Sequence, residues 1–194
     1  MTSHYSTREL ALAALFAALT AVGALVAIPF FGPVPFTLQV LFVLLAGLAL
    51  GPRLAALAMV AYIVLGLVAP VYAGGSSGFG ALFGPAGGYI WGFVLAAIIV
   101  GLLASRVERP SFLRLTAVAA VGLIPIYALG ASWLAISIRS YDVHVVLWGG
   151  VLQFLPLDVL KAGVAALTVC ALASTPAHLP AGVVRPGVGR GRAD

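Results

Sequence analysis

Asp158 and Lys161 stand three residues apart in PLDVLKAG, within an apolar run from Val145 to Ala173 whose other polar side chains are Gln153 and Thr168. On a helix this spacing puts both side chains on one face, about 5 to 6 Å apart at Cβ, so a carboxylate there pairs with an ammonium. Ionisable groups are expensive inside a membrane and by default mark a ligand or ion path. The bland alternative is a clasp between helices, in which the two charges offset only part of each other's desolvation. The functional reading is favoured, because a clasp is made more cheaply from uncharged residues and the apolar runs carry almost no other charge.

Other stretches offer polar groups near such a pair. In PFFGPVPFTLQV, Pro29, Pro33 and Pro35 make a stiff, extended connection, after which Thr37 and Gln39 open a helix. Gln39 carries both amide donors and an acceptor, suited to a neutral amide-like ligand or, equally, to a bond with a neighbouring helix. The stretch VYAGGSSGFGALFGPAGGYIWGF holds seven glycines between Gly74 and Gly88 and no charge. It lacks the spacing and the lysine of a phosphate loop, so its glycines point to close backbone approach or to a lid. Trp91 fits an interfacial aromatic belt, whereas Tyr89, directly after two glycines, fits the wall of a pocket. Alanines at 13, 17 and 21, and at 14 and 18, form small-xxx-small stripes that let a second helix approach closely.

Metal and nucleophilic chemistry find little support. His4, His144 and His178 fall in a terminus, a loop and a tail, and no serine sits beside a histidine and an acid within an apolar run. Cys170 lies in an apolar run and reads as a packing residue.

The elements that must position these groups follow from composition. Of 194 residues, 63% are hydrophobic and 8% charged, with a mean hydropathy of +1.19, against roughly a quarter charged in soluble domains. The expected fold is all-α: a polytopic membrane protein of six transmembrane helices in one domain over 1–175. The spans are expected at about 10–28, 36–50, 54–69, 86–104, 113–136 and 145–173, followed by a disordered cytoplasmic tail over 176–194. The first run is longer than the apolar part of a secretory signal and reads as a retained span. Gly51, Pro52 and Arg53 stop one helix and start the next, predicting a tight hairpin. The net charge of +5 does not form a nucleic-acid patch, because the basic residues fall between apolar runs. Arg8, Arg53, Arg106, Arg109, Arg114, Arg185, Arg190 and Arg192 stand on one side and only Arg139 on the other, which places both termini in the cytoplasm.

With these stretches assembled, the chain resembles the BioY family, the biotin-binding membrane subunits (S components) of energy-coupling factor (ECF) vitamin transporters. The resemblance runs from about Arg8 to Ala173. It is carried by GPVPFTLQVLFVLLAGLALGPRLA, LFGPAGGYIWGF, IYALGASWLA and FLPLDVLKA, in family order. Two departures are Ala86, where the family's GPTGGY has threonine, and Leu157, where a glycine often precedes the aspartate.

The resemblance implies a non-catalytic subunit, without cofactor or metal, that captures biotin from outside across the cell membrane of a prokaryote. Its partners would be a coupling membrane protein and two ATP-hydrolysing subunits, which agrees with the lack of any nucleotide motif. Asp158 would accept from biotin's ureido N–H groups, and Lys161 would donate to the ureido oxygen or to the carboxylate. Phe36, Tyr89 and Trp133 would wall the ring, with Thr37, Gln39 and Gly88 completing the site. Ala13, Ala17 and Ala21 would face the coupling protein. Three rivals remain: a sister subunit for thiamine or riboflavin, a small intramembrane enzyme using Asp158 and Lys161 as an acid/base pair, and a passive channel.

Overall fold

The computed structural model describes residues 5–30, 32–139 and 142–173. The expected tail over 176–194, His4 and His178 lie outside the described residues. Among those described, five helical segments are long and apolar enough to cross a membrane: Thr7–Leu25, Gln39–Val68, Gly87–Ala104, Phe112–Ser137 and Val143–Ala173.

The first helix, α1 (Thr7–Leu25), opens with a capping box in which the Ser6 hydroxyl accepts from the Glu9 N–H and the Glu9 carboxylate accepts from Ser6. It ends three residues before the apolar run does. Ala27–Ile28 (β1) instead pairs antiparallel with Phe36–Thr37 (β2), Ala27 opposite Thr37 and Ile28 opposite Phe36. The second helix, α2 (Gln39–Val68), therefore starts at Gln39 and not at Phe36. The prolines of this connection hold the chain extended up to that point.

The expected hairpin in α2 is formed at Gly51, whose φ of 75° and ψ of 174° break the helix. Gln39 and Tyr62 share a hydrogen bond of 2.5 Å, although residues so far apart in one straight helix would be about 35 Å apart. The two legs thus run back along each other, with Pro52 starting the second and the exposed Arg53 at the tip. This hairpin is the centre of the molecule. Val43, Leu44, Ala46, Leu48, Ala55, Ala58, Met59 and Tyr62 are fully enclosed, and the hairpin packs on α1, on α4 (Gly87–Ala104) and on α8 (Leu155–Ala173).

Between α2 and α4 the glycine-rich stretch forms a tight turn at Ala73–Gly75 and a short helix, α3 (Gly78–Leu82). The next segment is α5 (Phe112–Val121) joined at Gly122 to α6 (Leu123–Ser137). The last apolar run is not one helix. After α7 (Val143–Leu147), Trp148–Leu152 winds as a wider π turn, and α8 then restarts at Leu155. Gly149 and Gly150 allow the wide turn, and Pro156 removes a backbone donor just beyond it.

Helices α4 and α6 meet almost backbone to backbone. A Cβ on Gly88 would lie 2.3 Å from Trp133 Cβ and 2.5 Å from the Leu129 carbonyl oxygen, and one on Gly92 would lie 2.7 Å from Ile126 Cα. These two glycines, four apart, leave no room for any side chain. Gly92→Ala is accordingly expected to lower unfolding stability in detergent by about 1–3 kcal/mol. Gly80→Ala, where a Cβ meets nothing within 4 Å, is expected to stay within about 0.5 kcal/mol of wild type in the same measurement.

Candidate functional site

Asp158 lies in the first turn of α8, where the exposed N–H end of the helix favours a carboxylate, and Lys161 follows one turn later. Both are buried, at 3% and 6% exposure. Lys161 Nζ donates to Asp158 Oδ1 at 2.5 Å and to the Thr37 carbonyl at 2.6 Å, and it stands 3.8 Å from the centre of the Phe36 ring. Its three N–H donors thus meet a carboxylate, a carbonyl and a π face. The Thr37 carbonyl accepts this bond because β2 leaves it outside α2.

Asp158 is held from its other side by Tyr127 of α6, whose hydroxyl donates to Oδ2 at 2.6 Å. Each carboxylate oxygen has one donor, so roughly half of its acceptor positions remain open. Three elements meet at this one pair: α8 supplies it, and α6 and β2 hold it, β2 through both the Thr37 carbonyl and the Phe36 ring.

A cavity of about 50 Å³ adjoins the pair, lined by Phe36, Thr37, Tyr89, Tyr127, Asp158 and Lys161 among others. That is space for a few waters. A larger chamber of about 230 Å³ lies under the glycine-rich loop, and the two share Val34, Pro35 and Thr37 as their common wall. Anything of vitamin size that reaches Asp158 from the chamber has to displace that wall. The pair is therefore braced by protein groups, as a clasp would be, and also borders a cavity, which a clasp does not require.

The residues singled out in the sequence divide into two groups. Asp158, Lys161, Phe36, Thr37 and Tyr89 surround the inner cavity, and the Tyr89 hydroxyl donates to the Gly150 carbonyl at 2.8 Å within the π turn. Gln39 faces the outer chamber and is occupied internally: its Oε1 accepts from the Thr37 hydroxyl at 2.8 Å and its Nε2 donates to Tyr62. Gly88 packs against α6 and does not line the inner cavity. Trp133 also stands apart from it, its indole N–H donating to the Gly84 carbonyl at 3.0 Å and its ring tilted against Phe83.

On α1, Ala13 and Ala17 point into the chain's own core at 3% and 5% exposure, Ala21 is half-buried, and Ala14 and Ala18 are exposed. Sequence reasoning missed Tyr127 and Phe154, which line the inner cavity, and Tyr62, which holds Gln39. A phenol in the middle of an apolar span was the available signal for Tyr62 and Tyr127, since a buried hydroxyl needs a partner. Among the described residues no group of three His, Cys, Asp or Glu is placed to hold a metal ion.

Comparison with known proteins gives one consistent result. The model of the BioY family matches residues 1–177. A Pyrococcus horikoshii protein named probable biotin transporter BioY is 43% identical over 161 residues, covering 82% of this chain and 93% of the relative. The Thermotoga maritima protein named biotin transporter BioY is 41% identical over 161 residues, covering 82% and 92%. A solved structure, described as the S-component for biotin from an ECF-type ABC transporter, superposes with a TM-score of 0.81 at 26% identity, covering 90% of this chain and 95% of that one.

The bond from Tyr127 to Asp158 yields a direct check. Tyr127→Phe keeps the ring and removes the donor to a buried carboxylate oxygen, and unfolding stability in detergent is expected to fall by about 1–3 kcal/mol.

Proposed function

The chain belongs to the BioY family, and on that premise we propose that it takes up biotin as the substrate-binding S subunit of an ECF-type transporter. The observation that carries this reading is the buried Asp158–Lys161 pair beside a cavity, with carboxylate acceptor positions still open. The subunit binds and releases its ligand unchanged and performs no catalysis of its own.

A urea presents an N–H and a C=O side by side along each edge. The pair presents the complement, an acceptor on Asp158 beside a donor on Lys161, in an environment where charge-assisted bonds are strong. Lys161 has no free donor, so it reaches the ligand's ureido oxygen with the N–H that faces the Phe36 ring, keeping its bonds to Asp158 and to the Thr37 carbonyl. Phe36 and Tyr89 then cover the apolar ring. Gln39 and Trp133 serve the surrounding loops, and Gly88 sets the approach of α4 to α6.

In this reading the hairpin legs at Gly51 count as two of six spans in a single domain over 1–175. Both termini, Arg53 and the loop bearing Arg106, Arg109 and Arg114 face the cytoplasm of a prokaryotic cell, with the membrane being the plasma membrane. Biotin comes from the side of the proline loop and the glycine-rich loop. The coupling membrane subunit meets α1 where its alanines face outward, at Ala14 and Ala18 with Ala21 at the margin, while Ala13 and Ala17 set the closeness of α1 to α2. Two separate subunits hydrolyse ATP.

Titration of the purified protein against biotin, thiamine and riboflavin tests the assignment, with saturable binding expected for biotin alone. Asp158→Asn and Lys161→Ala are each expected to weaken biotin binding about ten-fold or more, because a buried charged partner is lost. Wild-type affinity in both variants overturns the site.

A further inference from the structure

Thr37 is used twice. Its carbonyl accepts from Lys161, and its hydroxyl donates to Gln39 Oε1 at 2.8 Å. From Gln39 the bonding continues outward: Nε2 donates to the Tyr62 hydroxyl at 2.5 Å, and that hydroxyl donates to the Val71 carbonyl at 3.1 Å. Val71 begins the glycine-rich loop that covers the outer chamber. Unbroken hydrogen bonds therefore run from Tyr127 through Asp158, Lys161, Thr37, Gln39 and Tyr62 to the base of that loop. Tyr62 is fully enclosed and cannot replace a lost partner with water, so a break at Tyr62 leaves a buried group unsatisfied.

Thr37 is also part of the wall between the two cavities. A ligand that reaches Asp158 from the outer chamber has to move it, and any such movement is felt by Gln39 and then by Tyr62. We propose that Tyr62 is a positioning residue for ligand retention: its hydroxyl ties the glycine-rich loop at Val71 to the Thr37 segment that Lys161 holds, so that loop and wall close together. The proposal rests on the biotin-binding reading only for the identity of the ligand. Tyr62 touches no ligand and acts through Gln39 and Thr37.

The fold supplies its own control. Tyr72, next to Val71, donates its hydroxyl to the Ile63 carbonyl at 2.7 Å and so pins the same loop to the same leg of α2, with no bond to Gln39 or Thr37. Burial raises the Tyr72 phenol above its ordinary value, so the hydroxyl keeps its proton and remains a donor. The two rings pack edge to face at 5.6 Å, and each Tyr→Phe change keeps that contact while removing one buried hydroxyl.

The test compares Tyr62→Phe with Tyr72→Phe in the full chain in detergent, by hydrogen–deuterium exchange without ligand and by the dissociation rate of labelled biotin. Tyr62→Phe is expected to raise exchange both at residues 71–76 and at residues 36–41. It is also expected to speed biotin dissociation about ten-fold. Tyr72→Phe is expected to raise exchange at 71–76 only, with dissociation within about two-fold of wild type. Unchanged exchange at 36–41 in Tyr62→Phe overturns the proposal, as does equal acceleration of dissociation by the two variants. If Tyr62→Phe does not fold, Gln39→Met breaks the same link from its other end and carries the same expectations. A wild-type protein that binds no biotin sinks the functional reading alone, because the exchange arm, run without ligand, still decides the Tyr62 link.

Discussion

A carboxylate and an ammonium held in an apolar interior remain tolerable only while every bond around them is made, and that requirement organises the molecule. The attraction between Asp158 and Lys161 does not by itself repay their removal from water. The difference is supplied by Tyr127, the Thr37 carbonyl and the Phe36 ring, which come from parts of the chain far apart in sequence. Assembling them requires α6 and the segment after the proline loop to converge on the first turn of α8. The arrangement that keeps the pair in place is also the one that leaves a space beside it.

Close helix packing makes this convergence possible. In lipid the drive to bury apolar surface between helices is weak, so helices associate where small residues let backbones touch. Gly88 and Gly92 bring α4 against α6, which carries Tyr127 to Asp158, and Gly101 does the same for the hairpin tip at Pro52. Gly130 admits the Tyr89 ring, whose hydroxyl reaches the π turn ahead of α8. Among them Gly88 falls in the stretch whose glycines read as close backbone approach or a lid, and close approach is what it provides; Gly101 and Gly130 lie within apolar spans that carried no such reading.

Much of this multi-pass membrane protein was legible in its residues. The apolar runs, the break at Gly51–Pro52 and the shared face of Asp158 and Lys161 each rest on local chemistry, which a linear reading captures. Thr37's carbonyl as a partner of Lys161 was not legible, because backbone groups are the same at every position. Tyr127 was missed because its partner lies 31 residues away and only tertiary packing joins them. The direction of the alanine stripe also escaped: neighbouring residues on a helix differ by about 100°, and α1 is apolar around its whole circumference, so nothing in the pattern separates Ala13 from Ala14. The π turn at Trp148–Leu152 interrupts a run that hydropathy alone reads as continuous.

The hairpin at Gly51 has a further consequence for the segment that leads into it. Its leading leg, from Gln39 to Leu50, rises only about 18 Å, well short of the roughly 30 Å of hydrocarbon in a typical bilayer. Other helices enclose that leg, so the non-helical residues that lead into it take up part of the remaining thickness, and their backbone groups find partners within the protein, as Thr37 does opposite Ala27 and Leu38 N–H does at the Gly23 carbonyl. Irregular backbone is tolerated at such a depth because protein, and not hydrocarbon, surrounds it.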